Sequence, residues 1–398
     1  MNHPPRSIPV GLPALLCLLL CLLAGTVLAS GQPLTLPTPN ILDTASPNAR
    51  EVSKLFWLVM GFSIFVMAIV VAFMVAGIVG GIRDRNHDEE PPQTHGNLKL
   101  ELAWTIIPLI ILSILLVPTL SAIYTLDGFA APDDAIEVNV VGRQFWWEMT
   151  YKDSGVITAN EVVAPVGTPI KLNLASADTM HSFWIPQLAG KTDLIPGNQR
   201  TLWFTPDREG VFYGQCAEIC GDSHANMRLR LVALSPEDYQ TWLTAARKPA
   251  ELPQAELAVA GSQLFVSKGC VNCHAVQGVN TYNRTGPDLS HIGSRTSIAA
   301  GVLPNTRENM IRWLRYTDTV KPGVAMPNLG LNQEEAESLA AYLETLTLPG
   351  FDMRRAIEND QLVANQPVAN QPVAQANTDA SAQLALETPV EKRVENPR

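Results

Sequence analysis

Two uncharged, apolar runs constrain this chain more than any other feature. Leu55 to Ile82 covers 28 positions without a charged residue, and a second such run extends from Leu102 to Leu126. At a rise of about 1.5 Å per helical residue, the first is longer than a hydrocarbon core of about 30 Å. The second contains Pro108 and Pro118, which membrane helices tolerate better than isolated soluble ones. With a short polar loop between them, the runs predict a transmembrane hairpin with helices over 55–82 and 102–126. A charged fraction of only 17% fits membrane segments diluted by soluble parts.

The start of the chain reads as an export signal over 1–29 rather than an uncleaved anchor. Arg6 supplies the positive region, "LPALLCLLLCLLAGTVLA" the apolar core, and "VLAS" a small-residue cleavage region near Ala29. Export of the N-terminus places the 83–99 loop inside and everything after about residue 127 outside. Arg83, Arg85 and Lys99 agree weakly with the positive-inside rule, while Arg50 and Lys54 lie on the other side. The expected location is a bacterial inner membrane, crossed twice, with both termini on the extracytoplasmic side.

Beyond the N-terminal segment and hairpin (30–126), residues 127–248 hold short runs rich in β-branched and aromatic residues. "IEVNVVGRQFWWEMTY", "VVAPVGTPIKLNLAS" and "RTLWFTPDREGVFYGQC" are broken by Gly, Pro and Asp, as in a β-sandwich. "SPEDYQTWLTAA" reads as a helix capped by Ser235, and "RKPAELPQAE" as a boundary. Residues 257–349 are mostly helical by apolar periodicity. The repeated "VANQP" and the Ala, Gln, Asn and Pro content of 350–398 predict a disordered tail. A net charge of -10 with no basic cluster argues against nucleic-acid binding.

Without the signal segment, four cysteines remain, in two tight pairs: Cys216 with Cys220, and Cys270 with Cys273. A secreted disulfide framework normally spreads its cysteines to close longer loops, so tight pairs suit cofactor ligation better. "GCVNCH" contains the Cys-x-x-Cys-His signature of covalent haem attachment, with His274 adjacent to ligate the iron. A zinc half-site and a redox disulfide are the alternatives. "TGPDL" follows, and "VAMPNLG" supplies Met326, 52 residues after His274. In this order of motifs, residues 257–349 resemble the single-haem, all-α class I cytochromes c. That resemblance implies His274 and Met326 as axial ligands, a combination that raises the potential. It also implies that the Pro287 carbonyl holds the His274 ring.

In "CAEICGDSHANM", residues 216–227, the spacing alone permits a disulfide, half a zinc site or a copper site. Soft thiolates together with the imidazoles of His181 and His224 and the thioether of Met227 favour copper over zinc. The second thiolate lets two coppers share both sulfurs. The set His181, Cys216, Glu218, Cys220, His224 and Met227 matches the dinuclear copper site of cytochrome c oxidase subunit II. "LELAWTIIPLIIL", "GRQFWWEMTY" and "HSFWIPQLAGKTDLIPGNQRTLWF" are similar to that family as well. The resemblance covers about residues 40–248, with the cytochrome fused behind, as in caa-type oxidases.

The resemblance implies a cupredoxin-like fold for 127–248, two coppers bridged by Cys216 and Cys220, and terminal ligation by His181, His224, Met227 and the Glu218 carbonyl. It further implies that the Glu218 side chain reaches a magnesium ion at the boundary with subunit I. Glu101 matches a glutamate that opens a proton path into that subunit. The aromatic patch that accepts electrons corresponds to Phe145, Trp146 and Trp147, and departs from the family in beginning with Phe rather than Trp. Subunit I, subunit III and an external electron donor are the implied partners. The function implied is electron delivery, from the chain's own haem through copper, to a proton-pumping oxidase that reduces dioxygen. A nitric-oxide reductase subunit, a stand-alone membrane carrier and a receptor with two disulfides are the alternatives, and the last leaves His274 and Met326 unexplained.

Overall fold

The computed structural model describes residues 41–83, 96–126, 131–281 and 285–353. The expected export signal, most of the loop between the apolar runs and nearly all of the expected tail lie outside these residues. The apolar runs form helices α1 (Pro47–Arg83) and α2 (Leu98–Leu126), which pack on one another. Both are long and apolar enough to cross a membrane. In α2, Thr105 Oγ1, Ser113 Oγ, Thr119 Oγ1 and Thr125 Oγ1 each donate to the carbonyl four residues earlier. This satisfies the polar groups without water.

Helix α1 begins eight positions before the uncharged run, because its base belongs to the soluble part. Ser46 Oγ caps it by accepting from the Ala49 amide at 3.0 Å and also donates to the Leu188 carbonyl. Asn48 Nδ2 donates to the Trp203 carbonyl at 3.1 Å, and Arg208 pairs with Asp43 at 2.6 Å. The polar residues ahead of the apolar run thus tie the hairpin to the domain that follows.

That domain is a sandwich of two five-stranded sheets. One runs β3 (Ile157–Ala159), β2 (Trp146–Tyr151), β1 (Ile136–Arg143), β5 (Ile170–Ser176), β8 (Arg200–Phe204). The other runs β4 (Glu161–Pro165), β10 (Arg228–Leu234), β9 (Gly210–Cys216), β6 (His181–Trp184), β7 (Thr192–Leu194). Strand β1 pairs parallel with β5 and β10 parallel with β4, while the other pairings are antiparallel. Alternation in β5 turns Ile170, Leu172 and Leu174 inward, against a core that includes Trp147, Met149, Phe183 and Leu231. Tyr151 crosses between the sheets: its hydroxyl donates to the Val163 carbonyl at 2.6 Å and accepts from the Val163 amide at 2.7 Å. Helix α3 (Pro236–Ala246), capped by Ser235 Oγ accepting from the Asp238 amide at 3.1 Å, stacks Trp242 on Tyr239 and leans it against Tyr151.

The helical domain is built on α4 (Glu256–Ser267) and α7 (Gln333–Thr345), with α5 (Arg307–Arg315) and the short α6 (Thr317–Val320) between them. Helices α4 and α7 cross at Gly261, where a Cβ would lie 1.9 Å from the Ser338 carbonyl oxygen. Phe265 meets Tyr342 edge-on nearby, with ring centroids 5.5 Å apart. Asn332 and Glu335 form a reciprocal capping box at the start of α7.

The two soluble domains are joined through buried polar contacts. Glu161 of β4, 3% exposed, accepts from the Thr296 amide at 3.0 Å and from Thr296 Oγ1 at 2.5 Å. Arg230 of β10 donates to the same threonine hydroxyl. The first residues of the expected tail do not leave the surface: Phe351 packs on the sandwich core and Met353 is buried in it. An aromatic and a thioether carry enough apolar area to dock.

The inter-sheet role of Tyr151 has a measurable consequence. Tyr151→Phe strands both the amide and the carbonyl of Val163 inside the sandwich, so urea unfolding of the purified chain should show a loss of about 2 kcal/mol or more. An unchanged unfolding midpoint would show that these bonds do not hold the sheets together.

Candidate metal centres

The loop 216–227 is closed by strand pairing. Strands β9 and β10 are antiparallel neighbours, and their ladder ends with the Cys216 amide donating to the Met227 carbonyl at 2.9 Å. The loop's first and last donors are thereby set side by side. Strand β6 pairs with β9 so that Phe183 opposes Cys216, and the Ala217 amide donates to the Ser182 carbonyl at 2.9 Å. This register carries His181, 35 residues upstream of Cys216, to the loop.

All six expected ligands converge. The Cys216 and Cys220 sulfurs are 3.9 Å apart, and both cysteines are free. Cys216 Sγ lies 3.9 Å from His181 Nδ1 and 3.2 Å from the Glu218 carbonyl oxygen. Cys220 Sγ lies 3.7 Å from His224 Nδ1 and 3.8 Å from Met227 Sδ. Cys216, Cys220, His181 and Met227 are buried, while His224 is partly exposed. The sulfurs are too far apart for a disulfide, whose bond is about 2.05 Å.

The surroundings orient these donors. Asp178 Oδ1 accepts from His181 Nε2 at 2.7 Å, which assigns the proton to Nε2 and turns the Nδ1 lone pair toward Cys216. Asp178 is itself fixed, accepting from the Gln144 amide at 2.6 Å and the Thr179 amide at 2.6 Å. Gln144 Nε2 donates to the Cys220 carbonyl. Gly142 lies beneath His181, where a Cβ would come within 2.8 Å of the ring. Burial opposes ionisation of Cys216, but hydrogen bonds from His181 and from the backbone bring its pKa down to about 7. Burial and the charge of Cys216 push Cys220 up to about 12. Two thiolates this close ionise together only with cations between them, and soft donors select copper for that place. The donor set therefore fits a copper centre.

Sequence reading missed Asp178, Gln144 and Gly142. Asp178 had a usable signal, an acid three positions before a candidate ligand histidine. Gly142 and Gln144 lie in the quoted "GRQFWWEMTY" stretch, but its spacing does not tie them to the loop, because β1 and the turn after it reach the loop only through sheet packing.

The second centre lies in the helical domain. Cys270 and Cys273 flank the short turn Cys270–Asn272 after α4, both as free thiols, Cys273 at the surface. His274 Nδ1 donates to the Pro287 carbonyl at 2.8 Å, which leaves Nε2 free. Burial lowers the His274 pKa, favouring the neutral imidazole that ligates metals. Gly286 stands against the ring, where a Cβ would come within 2.7 Å of Cε1. Met326 is partly buried against the helical core. One exposed and one half-buried thiol beside an oriented, neutral histidine fit a covalently attached haem.

The aromatic residues Phe145, Trp146 and Trp147 are all buried. Trp147 leans edge-on to His181 with ring centroids 5.9 Å apart, and Trp146 forms a small cluster with Ala159 and with Ala300 of the helical domain. Glu101 sits in the first turn of α2, half-exposed, far in sequence from either centre.

Comparison with known proteins agrees with this layout. Residues 37–122 match the cytochrome c oxidase subunit II transmembrane domain, residues 155–234 the periplasmic domain of that subunit, and residues 258–347 the cytochrome c family. Cytochrome c oxidase subunit 2 of Alkalihalophilus pseudofirmus is 38% identical, over 77% of this chain and 90% of that protein. The same subunit of Bacillus sp. strain PS3 is 37% identical, over 66% of this chain and 79% of that protein. That of Bacillus subtilis is 36% identical, over 64% and 77% respectively. The chain therefore belongs to the cytochrome c oxidase subunit II family, carries its own cytochrome c domain, and is an electron-transfer subunit of a terminal oxidase.

Proposed function

We propose that the copper centre is dinuclear, with Cys216 and Cys220 as bridges and His181, His224, Met227 and the Glu218 carbonyl as terminal ligands. The convergence of two free thiols, two imidazoles, a thioether and a carbonyl in one loop supports this reading. Cys270, Cys273, His274 and Met326 would hold one haem c, with Pro287 orienting the histidine. When bound, the haem and the copper pair supply two one-electron stations in a single chain. The protein's own part is to keep His181 and His274 in the right tautomer, to bury the sulfurs, and to hold the two loops in contact.

The tip of the copper loop supports a route to the catalytic subunit. Ile219, beside Glu218, is an apolar side chain left 82% exposed by the described residues. An exposed apolar tip rimmed by a carboxylate suits docking on subunit I, with the Glu218 side chain reaching magnesium at that boundary. Glu101 would open a proton path at the other end of the hairpin, subunit III would complete the complex, and an external donor would reduce the haem. The soluble domains would face the extracytoplasmic side of a bacterial inner membrane. Purification of the complex tests the whole reading: two coppers and one haem c per chain with oxygen consumption support it, and nitric-oxide consumption in place of oxygen would assign the chain to the rival class.

Two substitutions address individual donors. Met227→Leu should shift the copper–thiolate absorption and slow oxidation of the haem, and an unchanged spectrum would remove Met227 from the ligand set. Asp178→Ala removes the acceptor that holds the His181 tautomer, so copper affinity should fall about tenfold or more on titration of the metal-free protein. Equal affinity in the variant would show that Asp178 does not orient the ligand.

A further inference from the structure

Lys321 is a lysine of the cytochrome domain that is only 2% exposed. Its amino group is met by two carbonyl oxygens, that of Phe145 in the copper domain at 2.6 Å and that of Ala299 in its own domain at 3.2 Å. Burial pushes its pKa down to about 7, and even the neutral amine has two N–H groups for these two acceptors. A buried lysine is costly for stability, and buried polar groups of this kind are best attested where they set register.

The residues around it are pressed against the copper domain. Pro322, next in sequence, accepts through its carbonyl from Ser223 Oγ, the residue before His224. Gly323 follows at φ +72°, and a Cβ there would come within 2.9 Å of Asp222, so this turn can approach the copper loop only with glycine at that position. Met326 lies five positions after Lys321 on the same loop. On the other side of the lysine, Ala299 and Ala300 take left-handed backbone angles, φ +53° and +58°. Alanine adopts this region only when its surroundings hold it there. Here those surroundings belong to both domains: Lys321 holds the Ala299 carbonyl, the Arg228 amide donates to the Ala300 carbonyl at 3.1 Å, and the Ala300 methyl group packs on Trp146 and Ala159.

We propose that Lys321 is a positioning residue that fixes the cytochrome domain in one register on the copper loop, so that the loops bearing Met326 and His224 stay in contact from one turnover to the next. The proposal rests on the reading of those loops as haem and copper ligands. Lys321 covers the backbone of Phe145, and that side chain is itself only 3% exposed. An external donor therefore reaches the haem and not the aromatic patch of the copper domain. The near-balanced charge of the cytochrome domain, seven Lys+Arg against seven Asp+Glu over 261–349, suits a donor that needs no steering.

The test is made in the purified oxidase complex, by injecting an electron into the haem photochemically and following both absorption bands. In the wild type the internal transfer rate should not change as sucrose raises the viscosity, since no domain has to diffuse. Lys321→Met should leave the spectra and potentials of both centres unchanged, slow the transfer about tenfold or more, and make it viscosity-dependent. Deuterium uptake over 299–301 should also rise in the variant. Lys268→Met, which removes a surface pair with Glu335 at 2.7 Å, should change none of these. A viscosity-dependent wild type, a Lys321→Met rate equal to wild type, or an equally slow Lys268→Met overturns the proposal. If Lys321→Met loses either spectrum, the wild-type viscosity series decides alone. A wild type in which haem oxidation never reduces the copper would overturn the assignment of the centres, and this outcome is separable because it needs no variant.

Discussion

The antiparallel pairing of β9 with β10 is the constraint from which the copper centre follows. Its last bond, from the Cys216 amide to the Met227 carbonyl, joins the two ends of the ligand loop. The intervening residues then have little choice but to bring Cys220 and His224 back over Cys216. Addition of β6 beside β9 supplies His181, and addition of β1 and its turn supplies Gln144 and the space under Gly142. Every donor is held by a strand or by a short loop closed by strands. Such preorganisation suits electron transfer, because little has to move when the charge changes.

The copper loop has two faces with different neighbours. Ser223 is buried and bonds to Pro322 of the cytochrome domain, Asp222 stands close to Gly323, Glu218 is half-buried and Ile219 is exposed. One loop thus presents one side toward the cytochrome domain and leaves the apolar tip at Ile219 exposed. The contact between domains has a buried polar part, built on Glu161, Arg230, Thr296 and Lys321, beside apolar packing of Ala300 on Trp146 and of Leu348 and Met353 on the sandwich core. Buried polar bonds demand a definite geometry, so this interface sets register as well as holding the domains together.

The hairpin joins this assembly through its base. Residues 43–50 bond to Leu188, Trp203 and Asp207, so α1 rises directly out of the sandwich rather than from a flexible tether. Much of this organisation was legible in the chain itself. The uncharged runs announced the two helices, the alternating aromatic and β-branched runs the sandwich, and Ser235 the cap of α3. The helix start at Pro47 was not legible, because the polar residues before Leu55 look like a linker until the sandwich surface is there to bond them. Phe351 and Met353 looked like part of a tail for the same reason.

The sequence by itself determined the chemistry: two cysteines, two histidines and a methionine in soft-metal company, and a Cys-x-x-Cys-His turn with a methionine downstream. Those are properties of residue type and local spacing, which no folding step alters. Only the tertiary structure decided how the donors are oriented and how the two domains meet. Gly142 makes room for His181 from another sheet, Gln144 reaches the Cys220 carbonyl from 76 residues away, and Lys321 reaches Phe145 from 176 residues away. Contacts of that kind depend on which strands and domains become neighbours, and packing alone assigns neighbours across such distances.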